Sequence, residues 1–331
     1  MKFLLQDGLF FEKYNDKVKC HLCPHNCFIP EGKYGLCSVR RNIGGNLKTI
    51  NYGEITSIAL DPIEKKPLYH FKPGEHILSI GSFGCNFSCD FCQNYSIAHY
   101  RAKSKYICPD ELIDMCTGLE KNTGLAFTYN EPSIWYEYVY DTSKRLKEKH
   151  PDFNIVLVTN GYIEEEPLLK LLPYIDAMNI DLKSFQKDYY KKICGGDIKA
   201  VLNTIENSYE RCHIEITTLL VNGLNDSSEE VEDIASYLAG LNKNIPLHLS
   251  RYFPTYKMDN PPTEIEAMMK AGEAARKHLS YVYLGNMANV DNSTSCPNCG
   301  KILVTRNGYF IKVHMDEIVC PECGYSINIV L

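Results

Sequence analysis

The chain has 331 residues, 44% of them hydrophobic and 23% charged, which is enough for one large α/β domain with small attachments. A formal net charge of -6 leaves no electrostatic footprint for nucleic acid, and the basic pair Arg40-Arg41 is too small to supply one. No apolar run approaches the roughly 18 residues of a membrane span.

Gln6, Asp7 and Gly8 break the apolar residues of MKFLLQDGLFFEK before a signal-peptide core can form. A cytoplasmic protein is therefore expected, in which 15 cysteines are explained by metal more readily than by disulfides.

Residues 20–41, CHLCPHNCFIPEGKYGLCSVRR, gather Cys20, Cys23, Cys27 and Cys37 around Pro24, Gly32 and Gly35, with His21 and His25 interleaved. Such a set can converge on a metal. Zinc in a small knuckle and an auxiliary iron-sulfur cluster both fit, and spacing does not separate them. The plain alternative is a reduced, cysteine-rich loop packed against the main domain. Residues 42–72, punctuated by Gly44-Gly45 and Gly53, read as a hairpin leading onward, so 1–75 is taken as an N-terminal module.

The run HILSI (76–80) reads as a short buried strand, and GSFGCNFSCDFCQN (81–94) follows it directly. There Cys85, Cys89 and Cys92 stand in a C-x3-C-x2-C spacing. Three thiolates on one tight loop can hold three corners of a 4Fe-4S cubane and leave the fourth iron without a protein ligand, whereas electron carriers close that corner with a further cysteine. An open position is what lets a metal centre act on a substrate. Phe91, between the last two cysteines, offers an aromatic face or edge for a purine.

From residue 76 onward strand-like runs (GLAFTYN, NIVLVTNG, AMNIDLK, HIEITTLLV, IPLHLSRYF, YVYLG) alternate with amphipathic stretches near 108–121, 132–149, 164–172, 197–210, 226–241 and 262–278. This predicts βαβ units and a parallel sheet. Period-2 alternation puts Asn179, Asp181 and Lys183 on one face, His213, Glu215 and Thr217 on another, and His248 with Ser250 on a third. A doubly covered parallel sheet would read as continuous apolar runs, so the polar faces predict a barrel whose mouth they line. Cys108, Cys116, Cys194 and Cys212 are scattered and read as small core residues.

After the polar linker ANVDNSTS the tail carries CPNCG and CPECG. Cys296, Cys299, Cys320 and Cys323 form two CxxC knuckles, similar to a zinc ribbon, and a closed four-cysteine site is structural. Lys301, Arg306 and Lys312 are too few for nucleic-acid binding, so folding or partner docking is the expected role. Residues 76–288 and 289–331 are thus read as barrel and ribbon-like module.

The cysteine loop, with an aromatic residue just before its third cysteine, resembles the signature of radical S-adenosylmethionine (SAM) enzymes. The wider text DPIEKKPLYHFKPGEHILSIGSFGCNFSCDFCQN is similar to the radical SAM component of the AmmeMemoRadiSam system, a relative of the pyruvate formate-lyase activating enzymes. The resemblance implies a partial (β/α)6 barrel, a 4Fe-4S cluster held by Cys85, Cys89 and Cys92, and SAM as cofactor. It places Phe91, Asn130, Glu131, Thr159, Asn160, Asp181, Lys183, His248 and Arg251 around SAM, with Glu131 on the amino group and Asp181 and Lys183 near the ribose and carboxylate. Its chemistry is reductive cleavage of SAM to a 5'-deoxyadenosyl radical that takes hydrogen from a substrate. A flavodoxin- or ferredoxin-type donor is implied, because reducing a sulfonium needs the low end of the roughly -700 to +450 mV range of such clusters.

The cysteine modules point to a peptide or protein substrate, with Memo-type partner proteins implied by the branch. A glycyl-radical enzyme as substrate, and a non-catalytic iron-sulfur or zinc protein (electron carrier or scaffold), are the alternatives.

Overall fold

The strand-like and amphipathic runs become the elements their periods predict in a computed structural model that describes residues 5–331; the first four residues of the stretch read for a leader lie outside it. The main strands are β1 (Ser57–Pro62), β2 (His76–Gly81), β3 (Asn122–Phe127), β4 (Asn154–Thr159), β5 (Ala177–Asp181), β6 (His213–Leu220), β7 (Leu247–Arg251) and β8 (Val282–Gly285). Between β2 and β8 run α1 (Pro109–Gly118), α2 (Tyr136–Lys149), α3 (Glu165–Leu171), α4 (Ile198–Ser208), α5 (Ser228–Asn242) and α6 (Ile265–Arg276).

The pattern of α4 shows why these segments are helical. Asp197 caps it by accepting from Lys199 N, and Ile198, Val201, Ile205 and Ser208, spaced three and four apart, form the buried stripe. Each fully buried Ile or Val there contributes about 1.5–3 kcal/mol.

The strands form one sheet in the order β8-β7-β6-β5-β4-β3-β2-β1. Pairing from β2 through β8 is parallel, and β1 lies antiparallel to β2 with Ser57 opposite Gly81. This is the expected α/β partial barrel, with β8 as a seventh parallel strand and an antiparallel edge. The sheet begins at Ser57, so the boundary expected after residue 75 falls inside the β1–β2 hairpin.

The connection inside that hairpin crosses the inner face of the sheet. Ile63, Leu68 and Phe71 pack with Ile77, Ala126, Val156 and Ala177. The Asn179 amide donates to Pro67 O at 2.8 Å. Glu215 Oε2 accepts Tyr69 N at 3.0 Å, and its Oε1 accepts His70 N at 2.7 Å. Part of the polar lumen therefore holds a plug, while Asp181 and Lys183, at and just after the end of β5, pair with each other beyond it.

The C-terminal module, with strands Thr294–Ser295, Ile302–Asn307 and Phe310–Val313, seals this plug. Val330 bridges Phe71 in parallel, Val330 N donates to His70 O at 2.8 Å, and His70 Nδ1 meets Asn328 O at 2.6 Å. Arg306, counted among the few basic residues of the tail, is buried, with its guanidinium 4.5 Å from the Tyr69 ring and bonded to Thr294 Oγ1 at 2.6 Å. Among the described residues no helix is long and apolar enough to cross a membrane.

Candidate functional site

Strands β2 to β5 end side by side, and the residues that follow each C-terminal end meet there, where barrel enzymes build their sites. From β2 the chain enters the cysteine loop at once. Gly84 adopts φ +91°, and a Cβ there would stand 2.8 Å from Cys37 O and 2.6 Å from Val39 Cγ1, so the N-terminal module presses directly on the loop.

Asn130 holds the loop's entry with both ends of its amide: Oδ1 accepts Ser82 N at 2.8 Å and Nδ2 donates to Gly84 O at 3.1 Å. Asn86 donates to Tyr162 O at 2.7 Å and accepts from Asn160 Nδ2 at 2.9 Å. The far side is clasped by the turn after Cys194, where Ser88 N and Asp90 N donate to Cys194 O and Ile193 O at 2.8 and 3.3 Å. A Cβ on Gly196 would meet Phe87 Cε1 at 2.2 Å, which explains the Gly195-Gly196 pair.

The three thiols share a largely buried space. Cys85 Sγ receives Phe87 N at 3.4 Å and Asn160 Nδ2 at 3.8 Å. Burial, then the Glu131 and Cys89 charges, push the Cys85 thiol well up, and burial with Cys89 pushes Cys92 up to about 11. Cys89 moves the other way: a hydrogen bond from Cys194 and the Lys183 charge lower it.

Lys183 pairs with Asp181 at 2.8 Å and lies 5.7 Å from the centre of the Phe91 ring. Burial opposes its charge, but Asp181 and the Cys89 and Cys194 thiols hold it protonated, above its ordinary value. A cationic, N–H-rich pocket of three thiols suits a polynuclear iron-sulfur group, which is anionic and tuned by hydrogen bonds to its sulfurs.

The structure thus gathers Cys85, Cys89, Cys92, Phe91, Asn130, Glu131, Thr159, Asn160, Asp181 and Lys183 at one edge, while Glu131, His248 and Arg251 each make contacts the sequence reading did not expect. Glu131 accepts Ser133 N at 2.8 Å, Thr159 Oγ1 at 2.7 Å and Asn160 N at 2.8 Å. A buried carboxylate so supplied serves as a cap and strand-end clasp, a role the sequence reading did not give it.

His248 is only the second residue of β7 and points onto Glu215 Oε2 at 2.6 Å. That carboxylate, which also takes His213 at 3.1 Å, belongs to the plug, so His248 is a buried structural histidine. Arg251 ends β7 and donates from Nε to Thr263 O at 2.7 Å, stacked on Phe253; among the described contacts none joins it to the cysteine loop. Asn86 was missed by the sequence reading, and Cys194, read as a small core residue, is buried as expected but also reaches Cys89. The paired glycines after Cys194 were the available signal.

At the other end of the chain, Cys296 and Cys323 Sγ lie 3.6 Å apart, as do Cys299 and Cys320 Sγ, with all four within 4.8 Å of one another. A tetrahedral ion with bonds of about 2.3 Å to sulfur sets neighbouring sulfurs about 3.8 Å apart, so this set fits one metal ion. Gly300 and Gly324, each at positive φ, close the two knuckles.

An α/β partial barrel with three cysteines on the loop after its first parallel strand defines a class of radical enzymes. Residues 79–238 match the radical SAM superfamily, and the chain carries a domain of that superfamily there. An uncharacterized protein of Methanocaldococcus jannaschii is 41% identical over 340 residues, covering 99% of this chain and 100% of its own. A putative glycyl-radical enzyme activating enzyme of the same organism is 26% identical, across 62% of this chain and 79% of its own. A probable GTP 3',8-cyclase of Thermococcus kodakarensis is 26% identical, across 68% of this chain and 80% of its own. Membership makes the protein an enzyme with a 4Fe-4S cluster and SAM as its implied cofactors, and sets aside the electron-carrier and scaffold readings.

Proposed function

We propose that the chain is the radical SAM enzyme of an AmmeMemoRadiSam-type system, acting in the cytoplasm on a peptide or protein substrate. The observation that carries the reading is the convergence of Cys85, Cys89 and Cys92 on one loop with the Asp181–Lys183 pair against Cys89. In this reading the three cysteines hold the catalytic cluster, and Phe91, Asp181 and Lys183 border SAM. Asn130 and Asn160 fix the loop, and Thr159 fixes the turn behind it.

A 4Fe-4S cluster held by Cys85, Cys89 and Cys92, with SAM beside it and a flavodoxin- or ferredoxin-type donor, would supply one-electron reductive cleavage of the SAM S–C5' bond and, through it, removal of a hydrogen atom from the substrate. The protein's share is positional. Lys183 offers a buried cation to a carboxylate, Phe91 an aromatic surface to adenine, and the plug with the closed rear of the barrel keeps water out.

A macromolecular substrate is supported by the two cysteine-bearing modules flanking the barrel and by the free edge of β1, where Ile58 and Leu60 are exposed. Zinc is the ion proposed for the C-terminal knuckles, with Memo-type proteins as partners. The division into an N-terminal module, a barrel and a ribbon is retained as a proposal, with β1 counted in the barrel.

Removal of Cys89 should abolish reductive cleavage of SAM to 5'-deoxyadenosine; cleavage that persists in Cys89→Ala rejects the assignment. The name of the putative activating enzyme among the relatives favours a narrower second reading, a glycyl-radical enzyme as substrate. Electron paramagnetic resonance of a candidate partner, mixed with reduced enzyme and SAM, separates the two by the presence or absence of a glycyl radical.

A further inference from the structure

The N-terminal cysteines are built differently from the C-terminal ones. Cys20, Cys23, Cys27 and Cys37 line an enclosed cavity of about 10 Å³ with Ile29 and Ile134, room for about one water-sized sphere between the sulfurs. A mononuclear tetrahedral site leaves no such room, since sulfurs about 3.8 Å apart touch around the ion. The C-terminal knuckles are closed to that degree, with opposing sulfurs at 3.6 Å. They are the set, among the described residues, whose ligand atoms all fall within 4.8 Å of one another; the N-terminal four are not so drawn together.

The histidines between these cysteines are already engaged. His21 uses Nδ1 on Asn26 Oδ1 at 3.0 Å and Nε2 on Glu12 at 3.1 Å, and His25 uses Nε2 on Asn86 O at 2.6 Å. His25 also lines the cavity, but its ring is tied by Nε2 to Asn86 O, and the donor set is taken to be the four thiolates. A second observation concerns Arg40, which also lines the cavity. It is 1% exposed, its terminal nitrogens are bonded to Glu137 and Leu9 O, and its Nε is a buried donor with no partner. A buried N–H left over beside a thiol-lined void is what an anionic sulfide would satisfy.

We infer that Cys20, Cys23, Cys27 and Cys37 hold a second, fully ligated 4Fe-4S cluster against the Cys85 loop, with Arg40 Nε–H directed at one of its sulfurs. This goes beyond the proposed radical chemistry and stands whether or not the chain cleaves SAM.

The test uses the full chain with Cys85→Ala, Cys89→Ala and Cys92→Ala combined, which leaves the N-terminal four untouched. After anaerobic reconstitution the variant should carry about four iron and four sulfide, with about one zinc, and give a reduced-cluster paramagnetic signal. Replacing Cys23 and Cys27 as well should remove the iron. About two zinc and no iron, or a folded chain with neither metal at the N-terminal site, would overturn the inference. Should the triple variant fail to fold, the unaltered protein decides: about eight iron supports a second cluster and about four rejects it.

Discussion

The side-chain nitrogen of Asn160 stands 3.8 Å from the sulfur of Cys85 and 2.9 Å from Oδ1 of Asn86. One amide thus ties the end of β4 to both the first cysteine of the loop and the residue after it. Hydrogen bonds to cluster sulfurs stabilise the reduced, more negative state. Asn160→Leu should therefore make the catalytic cluster harder to reduce. A potentiometric titration followed by electron paramagnetic resonance should place its midpoint below that of the unaltered protein, and an unchanged midpoint would remove Asn160 from the cluster's environment. Stability should fall as well, by about 1–3 kcal/mol, since Asn86 and Tyr162 N lose a partner inside the protein.

The Lys183 charge acts on Cys89, and Asp181 holds that lysine in place at 2.8 Å. Lys183→Met keeps the stem and removes the charge. Outer residues around metal sites cost about 10–100-fold when lost, and SAM cleavage should fall by that order while iron content stays near its original value. Equal SAM affinity in calorimetry would show that Lys183 serves only to neutralise Asp181.

Glu131 gives the opposite expectation. Its three donors, Ser133 N, Thr159 Oγ1 and Asn160 N, are all internal. Glu131→Ala should lower stability by about 2 kcal/mol or more, seen as a drop of several degrees in the melting temperature. Glu131→Gln keeps an acceptor oxygen and should recover most of that loss with SAM affinity unchanged. A fall in affinity without loss of stability would restore the ammonium contact to this residue.

Much of this was legible from periodicity. Six amphipathic stretches became α1 to α6, and seven strand-like runs became β2 to β8, because long patterned segments state their own buried face. That the three cysteines and Lys183 come together was likewise readable, from the spacing of the loop and from the C-terminal ends of strands. What alternation could not tell is which polar inner-face residues meet substrate and which meet the protein itself. Asn179, Glu215 and His248 looked like the lining of an open mouth, yet each bonds to the plug or to its supports. The plug comes from residues 63–72, far away in sequence, and its backbone donors leave no side-chain signal. Cys194 was read only as a small core residue for a related reason: a solitary cysteine has no pattern, and its place beside Cys89 arises from a long-range turn.

At the plug, proton placement follows from the acceptors. Asn328 O can only accept, so His70 donates from Nδ1 and its Nε2, 2.6 Å from Tyr283 Oη, accepts from that hydroxyl. Thr294 then donates to Tyr283, and Arg306 to Thr294. Burial, with the Arg306 charge nearby, pushes His70 down to about 3, although Glu215 opposes this. The unfolded imidazole titrates near 6.5, so between there and about 3 the unfolded chain binds a proton that the folded one refuses. Stability should fall as pH drops through that window, by up to about 1.4 kcal/mol per pH unit from this group. His70→Gln should flatten the decline in melts recorded from pH 7 to pH 4; an unchanged slope would assign the acid sensitivity elsewhere.

Through the same junction, a metal held by the C-terminal knuckles would be a structural element of the barrel. Cys299 and Cys323 are exposed, so a chelator can reach the ion, whereas the thiols of the catalytic loop lie deeper. Stripping the ion releases four thiols held within 4.8 Å and loosens the segment that carries Asn328 and Val330. Because metal binding at such a site is folding free energy, the module should lose order first. Hydrogen exchange should then rise in two places, over residues 294–331 and over the plug around His70, with iron content unchanged. Exchange that rises in the tail alone would show that the module is seated on the plug without supporting it.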